Sequence, residues 1–307
     1  MSITADQNTA TRGQAVFFAF LAHMFWGFMP IYLILVADVP AVEFVAWRTS
    51  FTLPICLFFV WYRGRGDHLR ECLSDRRTML TLLGSSAMIA INWLGYIWAI
   101  QNTHVYAASL GYYILPLNMM LLGVVFLGEK LSLRQWAAVA LAALGVGALA
   151  TGALTTLWLS LTLAMSFGIY GLLRKTAAAG PLVGLTLEAI ILLPLVLGYL
   201  GYVQFFGGGT AFGRDTVETL AIMAGGLMTA IPLLLFASAA RALPYTLIGF
   251  MQFIAPTLVF ILGLTVFHEE LQAAQLAAFL AIWGAVALFS WDIWAKSRAA
   301  RAAAAVA

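Results

Sequence analysis

Charge is what this sequence has least of. Only 9% of its 307 residues are Asp, Glu, Lys or Arg, while 63% are hydrophobic and the mean hydropathy is +0.95. A soluble domain carries roughly 25% charged residues. A chain this poor in charge cannot cover a water-facing surface, so its solvent is mostly lipid. The net charge of +3 is small and scattered, and gives no basis for a nucleic-acid partner. Cysteine is scarce as well. Cys56 lies in an apolar run and Cys72 in a basic loop, which excludes a disulfide framework and a metal-ligand spacing. There is no GxxxxGK[ST] phosphate loop, so the chain does not hydrolyse ATP itself. HExxH, GxSxG and an intramembrane aspartate pair are also missing, and His23 with Glu188 alone forms no catalytic constellation. The sequence therefore reads as no enzyme, and it implies no cofactor and no metal.

What is present is apolar sequence in long runs. A membrane-spanning helix needs roughly 20 apolar residues. Turn signals and charges divide the chain into ten such spans, at about 13–37, 41–62, 77–100, 105–128, 133–151, 155–173, 183–205, 218–240, 245–267 and 272–292. The first run is too long for a signal-peptide core and reads as a retained span. The connections are short, the longest being an Arg-rich segment at 63–76 and a Gly-rich one at 206–217. With the N-terminus inside, the inner segments hold Arg12, Arg63, Arg65, Arg70, Arg76, Arg77, Lys130, Arg134, Arg174, Lys175, Arg241, Lys296, Arg298 and Arg301. That is fourteen of the sixteen basic residues; Arg214 alone lies outside and Arg48 lies within a span. The bias predicts ten spans with both termini cytoplasmic. The expected fold class is thus an all-α membrane protein of the bacterial plasma (inner) membrane.

The second half echoes the first. "LGYYILPLNMMLLGVVFLGEKL" around Pro116 resembles "IGFMQFIAPTLVFILGLTVFHEEL" around Pro256, an offset of 140 that also carries Glu129 to Glu269 and Leu131 to Leu271. An offset of 141 carries Gly27 to Gly168 and Pro40 to Pro181. Each copy contains five helices, and an odd number forces the two into opposite orientations. The predicted organisation is a tail at 1–12, a first repeat at 13–151, a second, inverted repeat at 155–292 and a tail at 293–307. Inverted repeats are a recurring architecture of secondary transporters, with the site near the midplane between the halves.

Several strings resemble a known group. "NWLGYIWAIQNTHVYAASLGYYILPLNMMLLGVVFLGEKLSLRQWAAVALAALGV", "SFGIYGLLRK", "PLVGLTLEAIILLPL" and "TAIPLLLFASAARALPYTLIGFMQFIAPTLVF" look like the RarD group of the EamA-type drug/metabolite transporter superfamily, over about residues 13–292. The resemblance implies ten helices in two inverted five-helix repeats. It also implies a central cavity lined by the first, third and fourth helices of each half, with the fifth helices outside it. Where the group usually has Asn-Pro in helix 4, this chain has Leu115-Pro116; where it has His-Arg in helix 2, this chain has Trp47-Arg48. Each departure removes a hydrogen-bonding group, which points to a different substrate choice.

Polar groups in hydrocarbon are costly, so each one inside a span is a candidate for function. His23, about ten residues into the first span, shares a face with Gly27 and precedes Trp26 and Pro30. It would bind substrate or couple transport to protons, or else pack against a backbone carbonyl. Asn92, beside Trp93, would line a cavity or join two helices. Tyr112, Tyr113, Pro116 and Asn118 in the fourth span have counterparts in Gln252, Phe253 and Pro256 of the ninth, and Pro232 lies at similar depth in the eighth. Prolines at 30, 116, 232 and 256 are candidate hinges or static kinks. Trp26, Trp93, Tyr112, Phe167 and Phe253 are candidate aromatic linings, although interfacial belts use the same residue types.

Arg48 and Glu188 are the candidate charges for ion coupling. Inversion puts them about 12 Å apart in depth, from the helical rise and a core of roughly 30 Å, so a direct pair is not expected. Arg48 would snorkel outward or hold an anionic group, and Glu188 would carry a proton. Glu129, Lys130, Glu269 and Glu270 read as interfacial charges. Ala137, Ala140, Gly145, Gly147, Ala277, Ala281 and Gly284 give the fifth and tenth spans small-residue faces, for internal packing or a homodimer. The leading expectation is a secondary transporter, an exporter of a small metabolite or drug working by alternating access, with an uncoupled facilitator or channel and a membrane-embedded enzyme as rivals.

Overall fold

The computed structural model describes residues 11–102, 104–268 and 273–306. Residues 1–10 and 307 of the predicted tails, and Glu269, Glu270 and Leu271, lie outside the described residues. Among the described residues every regular element is helical, and ten helices are long and apolar enough to cross a membrane. They are span 1 (Arg12–Val36), span 2 (Ala41–Tyr62), span 3 (Arg76–Ala99), span 4 (Tyr106–Leu127), span 5 (Leu133–Ala150), span 6 (Leu154–Thr176), span 7 (Pro181–Phe206), span 8 (Thr216–Ala242), span 9 (Tyr245–Thr265) and span 10 (Gln275–Lys296). The Arg-rich segment predicted as a loop is instead a surface helix, Gly66–Ser74. It lays Cys72 into the protein, and burial pushes that thiol up to about 11.

Local chemistry sets the span ends. Span 1 starts with a reciprocal capping box between Thr11 and Gln14, and span 5 repeats the device with Ser132 and Gln135. Asp75 accepts the Thr78 amide at 2.8 Å to start span 3, and its hydrogen bonds to Thr78 hold the carboxyl below the usual range. Span 7 opens on Pro181, whose missing N–H costs nothing in the first turn. Pro116 and Pro232 sit inside continuous helices, but span 9 is interrupted. It breaks between Tyr245–Met251 and Ile254–Thr265. Pro256 has no N–H to offer the carbonyl of Gln252, and the helix is interrupted at Gln252 and Phe253. Pro54 and Pro194, inside spans 2 and 7, were not among the predicted kinks, yet they stand 140 residues apart.

Most of the major packing contacts recur when every span is advanced by five, although span 6 packs on span 8 without a comparable contact between spans 1 and 3. Span 4 packs on span 6 and span 9 on span 1; span 3 on span 6 and span 8 on span 1; span 2 on span 8 and span 7 on span 3. Spans 2 and 7, 4 and 9, and 5 and 10 pack on one another. One contact is repeated in detail. A side chain on Gly27 would strike Leu258, and one on Gly168 would strike Asn118; Leu258 and Asn118 are themselves 140 residues apart. Large apolar side chains face outward along the spans, with Trp61, Tyr62, Phe205 and Phe206 well exposed at the ends of spans 2 and 7, as lipid-facing surfaces and aromatic belts require.

Spans 5 and 10 pair at the edge of the bundle, where Gly145 approaches the backbone of Ala278 and the methyl of Ala281. Of the other small residues singled out above, Ala137, Ala140, Gly147, Ala277 and Gly284 are exposed. Only part of the small-residue face therefore serves this pairing.

Close helix approach makes specific glycines indispensable. A methyl on Gly226 of span 8 would lie 2.8 Å from the Phe51 backbone of span 2. Gly226→Ala is expected to cost about 1–3 kcal/mol through the forced shift. Gly147→Ala, with open space around it, should be neutral or stabilising by up to about 1 kcal/mol. Thermal unfolding in detergent compares the two; equal midpoints would show that the span 2–span 8 contact yields freely.

Candidate functional site

Polar side chains from both halves converge between the spans. His23 is fully buried in span 1. Its Nδ1 lies 2.5 Å from the carbonyl oxygen of Ala19, and its Nε2 lies 2.9 Å from Oε1 of Gln252 at the break in span 9. Trp26, one turn along, meets His23 edge-on and meets Phe167 of span 6 edge-on, with centroids 5.5 and 5.6 Å apart. Phe236 of span 8 closes the group against both Trp26 and Phe167. Trp26 and Phe167 are 141 residues apart, the offset that also carries Gly27 to Gly168 in the sequence, and their rings touch.

The predicted asparagines hold helices together. Asn92 donates to the carbonyl of Leu163 at 2.9 Å and to Ser166 Oγ at 3.2 Å, tying span 3 to span 6. Asn118 donates to the carbonyl of Ala164 at 2.8 Å, tying span 4 to span 6. Both are buried. Tyr113 and Phe253 belong elsewhere than a central lining. Tyr113 packs edge-on against Phe279 of span 10, and Phe253 is buried against Phe250, which stacks on Phe289. Span 4 is apolar on all sides, so its sequence does not distinguish the face toward the centre from the face toward spans 5 and 10.

Glu188 has a partner that the sequence reading assigned to an inner segment between spans. Arg174, at the end of span 6, is buried, and its Nε lies 3.6 Å from Glu188 Oε1. Arg174 also donates to the carbonyl of Pro181 at 3.0 Å. Gly184 leaves the space that its guanidinium fills. Ser85 of span 3 donates to Glu188 Oε1 at 2.5 Å, and the Tyr170 hydroxyl reaches Oε2 at 3.5 Å. No ion pair joins Arg48 to Glu188 among the described residues. Arg48 instead lays its guanidinium over Trp93 of span 3, 4.4 Å from the ring centroid, with Phe44 at 6.0 Å. A small cavity lies alongside, lined in part by Thr49, Ile89, Trp93, Tyr170, Glu188 and Thr229, with about 20 Å³ of free space, room for about one water. Spans 2 and 7 contribute to it, which the expected lining by first, third and fourth helices leaves out.

Two further carboxylates tie the halves near their ends. Glu129, after span 4, accepts the backbone amides of Tyr245 and Thr246 at 2.6 and 2.8 Å, so it caps span 9 from the other half. Glu43, buried in the first turn of span 2, accepts the amide of Ala211 at 2.6 Å and Trp47 Nε1 at 3.2 Å. Lys175 donates to the carbonyls of Ala240 and Leu243 at the end of span 8. The signals that would have revealed these partners are spacings between halves, which one sequence does not display.

Comparison with known proteins gives a consistent result. Residues 13–151 match the model of the EamA-like transporter family. An uncharacterized transporter of Pseudomonas aeruginosa is 40% identical over 294 residues, 94% of this chain and 97% of that one. The protein RarD of Streptomyces exfoliatus is 36% identical over 93% of this chain and 90% of its own length. The protein RarD of Escherichia coli is 34% identical over 91% and 94%. A solved crystal structure superposes with a TM-score of 0.70 at 18% identity, covering 92% of this chain and 98% of that one; at that identity the likeness is one of fold.

The buried pair carries its own test. Removing the carboxylate in Glu188→Ala leaves Arg174 charged in an apolar interior, at a cost of about 3–5 kcal/mol. Replacing both members by Met should recover most of that loss. Melting of the purified variants measures it, and a Glu188→Ala midpoint equal to the parent's would mean that Arg174 finds other partners.

Proposed function

The chain belongs to the RarD group of the EamA-type drug/metabolite transporter superfamily and is a multi-pass membrane transporter, and on that premise we propose that it works as a secondary transporter, exporting a small metabolite or drug by alternating access between two inverted halves. The observation that carries this reading is the contact of the halves at the centre. His23 meets Gln252, and Trp26 meets Phe167, across the boundary between repeats. A substrate crossing there has to part these side chains, and the recurrence of most of the span contacts supports inverted copies that can exchange roles. The proposed orientation, with both termini cytoplasmic, rests on the Lys and Arg bias. The outward direction rests on the character of the group.

The geometry at His23 supports proton coupling. Both ring nitrogens face oxygens, those of Ala19 and of the Gln252 amide. A neutral imidazole donates from one nitrogen only, and a protonated one from both. Loss of the Nε2 proton therefore requires the amide of Gln252 to turn over or the contact to part. Gain or loss of a proton in the first half is thus felt in the second. Glu188 is engaged by Arg174, which favours His23 as the group that titrates.

A thermal-shift screen of amino acids, amines and antibiotics on the purified chain identifies a ligand, which is then loaded into sealed proteoliposomes. Accumulation against its own gradient is expected when a pH gradient is imposed. His23→Gln should retain downhill movement while its rate becomes flat between about pH 5 and 8. His23→Ala and Gln252→Ala, at normal folded yield, should slow uphill transport at least tenfold. Equilibration without accumulation under any gradient would sink the coupled scheme and leave a facilitator.

A further inference from the structure

Arg174 and Arg48 both lie among the packed spans, but only one of them is paired with a carboxylate. Arg174 has Glu188. Arg48 makes no ion pair among the described residues, and its Nε, like the Nε and Nη1 of Arg174, is buried without a hydrogen-bond partner. The carboxylates that could have served it are committed. Glu43, just over one turn earlier, is spent on the Ala211 amide and Trp47. Glu188, its equivalent in the other repeat, is held by Ser85, Tyr170 and Arg174. What surrounds the guanidinium is aromatic: Trp93 at 4.4 Å, Phe44 at 6.0 Å, and the phenols of Tyr32, Tyr96 and Tyr112 within electrostatic reach. The attraction of a cation to a ring is smaller than the cost of withdrawing an ion from water.

Snorkelling does not relieve the deficit. Arg48 lies about 10 Å along span 2 from Ala41, and Trp93 about 12 Å from the end of its own helix at Gln101, at 1.5 Å per residue. The guanidinium carbon lies 4.4 Å from the indole centroid at that depth. Tyr32 is occupied, donating to the carbonyl of Ala221 at 2.6 Å. Tyr96 and Tyr112, with ring centroids 6.0 Å apart, have no hydrogen-bond partner among the described residues. Arg48, Trp93, Tyr96 and Tyr112 are all half-buried, so the cluster is open on one side. It presents an unneutralised fork of N–H donors, two free phenols and flat apolar walls.

We propose that this cluster binds the anionic group of the transported molecule, and that the substrate class is a small monocarboxylate with an aromatic or apolar body. The carboxylate accepts from the Arg48 guanidinium, whose planar fork matches its two oxygens, and from Tyr96 or Tyr112. The body lies against the aromatic rings. A single guanidinium neutralises one charge, so a dianionic phosphate is a poorer occupant than a monoanion. The proposal rests on the transport reading for the word substrate, but binding is measured without transport.

The test uses the purified full chain in detergent and in lipid nanodiscs with and without phosphatidylglycerol. Benzoate and indole-3-acetate are titrated beside their neutral amides, benzamide and indole-3-acetamide, with intrinsic fluorescence as the readout. The acids should bind at least tenfold more tightly than the amides. Arg48→Met should abolish that preference and Arg48→Lys should retain part of it. If Arg48→Met does not fold, the acid–amide comparison on the parent chain and Arg48→Lys decides. Equal binding of acids and amides, no binding of either acid, or loss of acid binding whenever phosphatidylglycerol is present overturns the proposal, the last by assigning the site to a lipid headgroup. Failure of vesicle transport with acid-selective binding intact would count against the transport scheme and not against this site.

Discussion

A charge placed in hydrocarbon has to be answered from within the chain, because no water is there to do it. Most of the arrangement follows from that constraint. Arg174 and Glu188 answer each other, with Ser85 and Tyr170 completing the carboxylate's shell. Glu43 and Glu129 are answered by backbone amides at Ala211, Tyr245 and Thr246. Lys175 finds the last carbonyls of span 8. His23, Asn92 and Asn118 each reach an oxygen on a neighbouring span or on their own. Many of these bonds join different helices and several join different halves, so satisfying the polar groups also assembles the bundle. Arg48 stands apart because aromatic side chains surround it and no carboxylate pairs with it among the described residues.

The repeats show how one frame can hold two chemistries. Gly27 receives Leu258 and Gly168 receives Asn118 at equivalent places. One version is apolar, and the other adds a hydrogen bond to Ala164. Arg48 and Glu188 likewise occupy equivalent positions with opposite charge. The backbone contacts are retained while the side chains diverge, so the centre of the protein is asymmetric where a ligand would sit.

Ten spans, their limits to within a few residues, and the echo between halves were legible because length, hydropathy and proline spacing are local or periodic signals. The surface helix Gly66–Ser74 was missed because its many charges made an amphipathic turn look like a loop. Tyr113 and Phe253 were placed at the centre because spans buried on both sides carry no face signal. Arg174 was counted with the inner segments between spans because its position in the sequence is just past the predicted end of a span. Its depth depends on how Gly180, Pro181 and Gly184 receive it from span 7. The partnership of His23 with Gln252 spans 229 residues, a separation that periodicity does not bridge.

The capping of span 9 by Glu129 has a consequence in time. The carboxylate and the amides it accepts are 116 residues apart, which at about 5–20 residues per second separates their synthesis by roughly 6–23 s. Throughout that interval Glu129 has emerged from the ribosome and the backbone it will hold has not. Glu43 waits similarly for Ala211, and span 1 for spans 8 and 9. The first five helices are therefore made before the residues that hold Glu43 and Glu129 exist. Biogenesis of this protein is closed by its later half, and a ribosome that stalls after the first repeat leaves behind a membrane intermediate and not a smaller working domain.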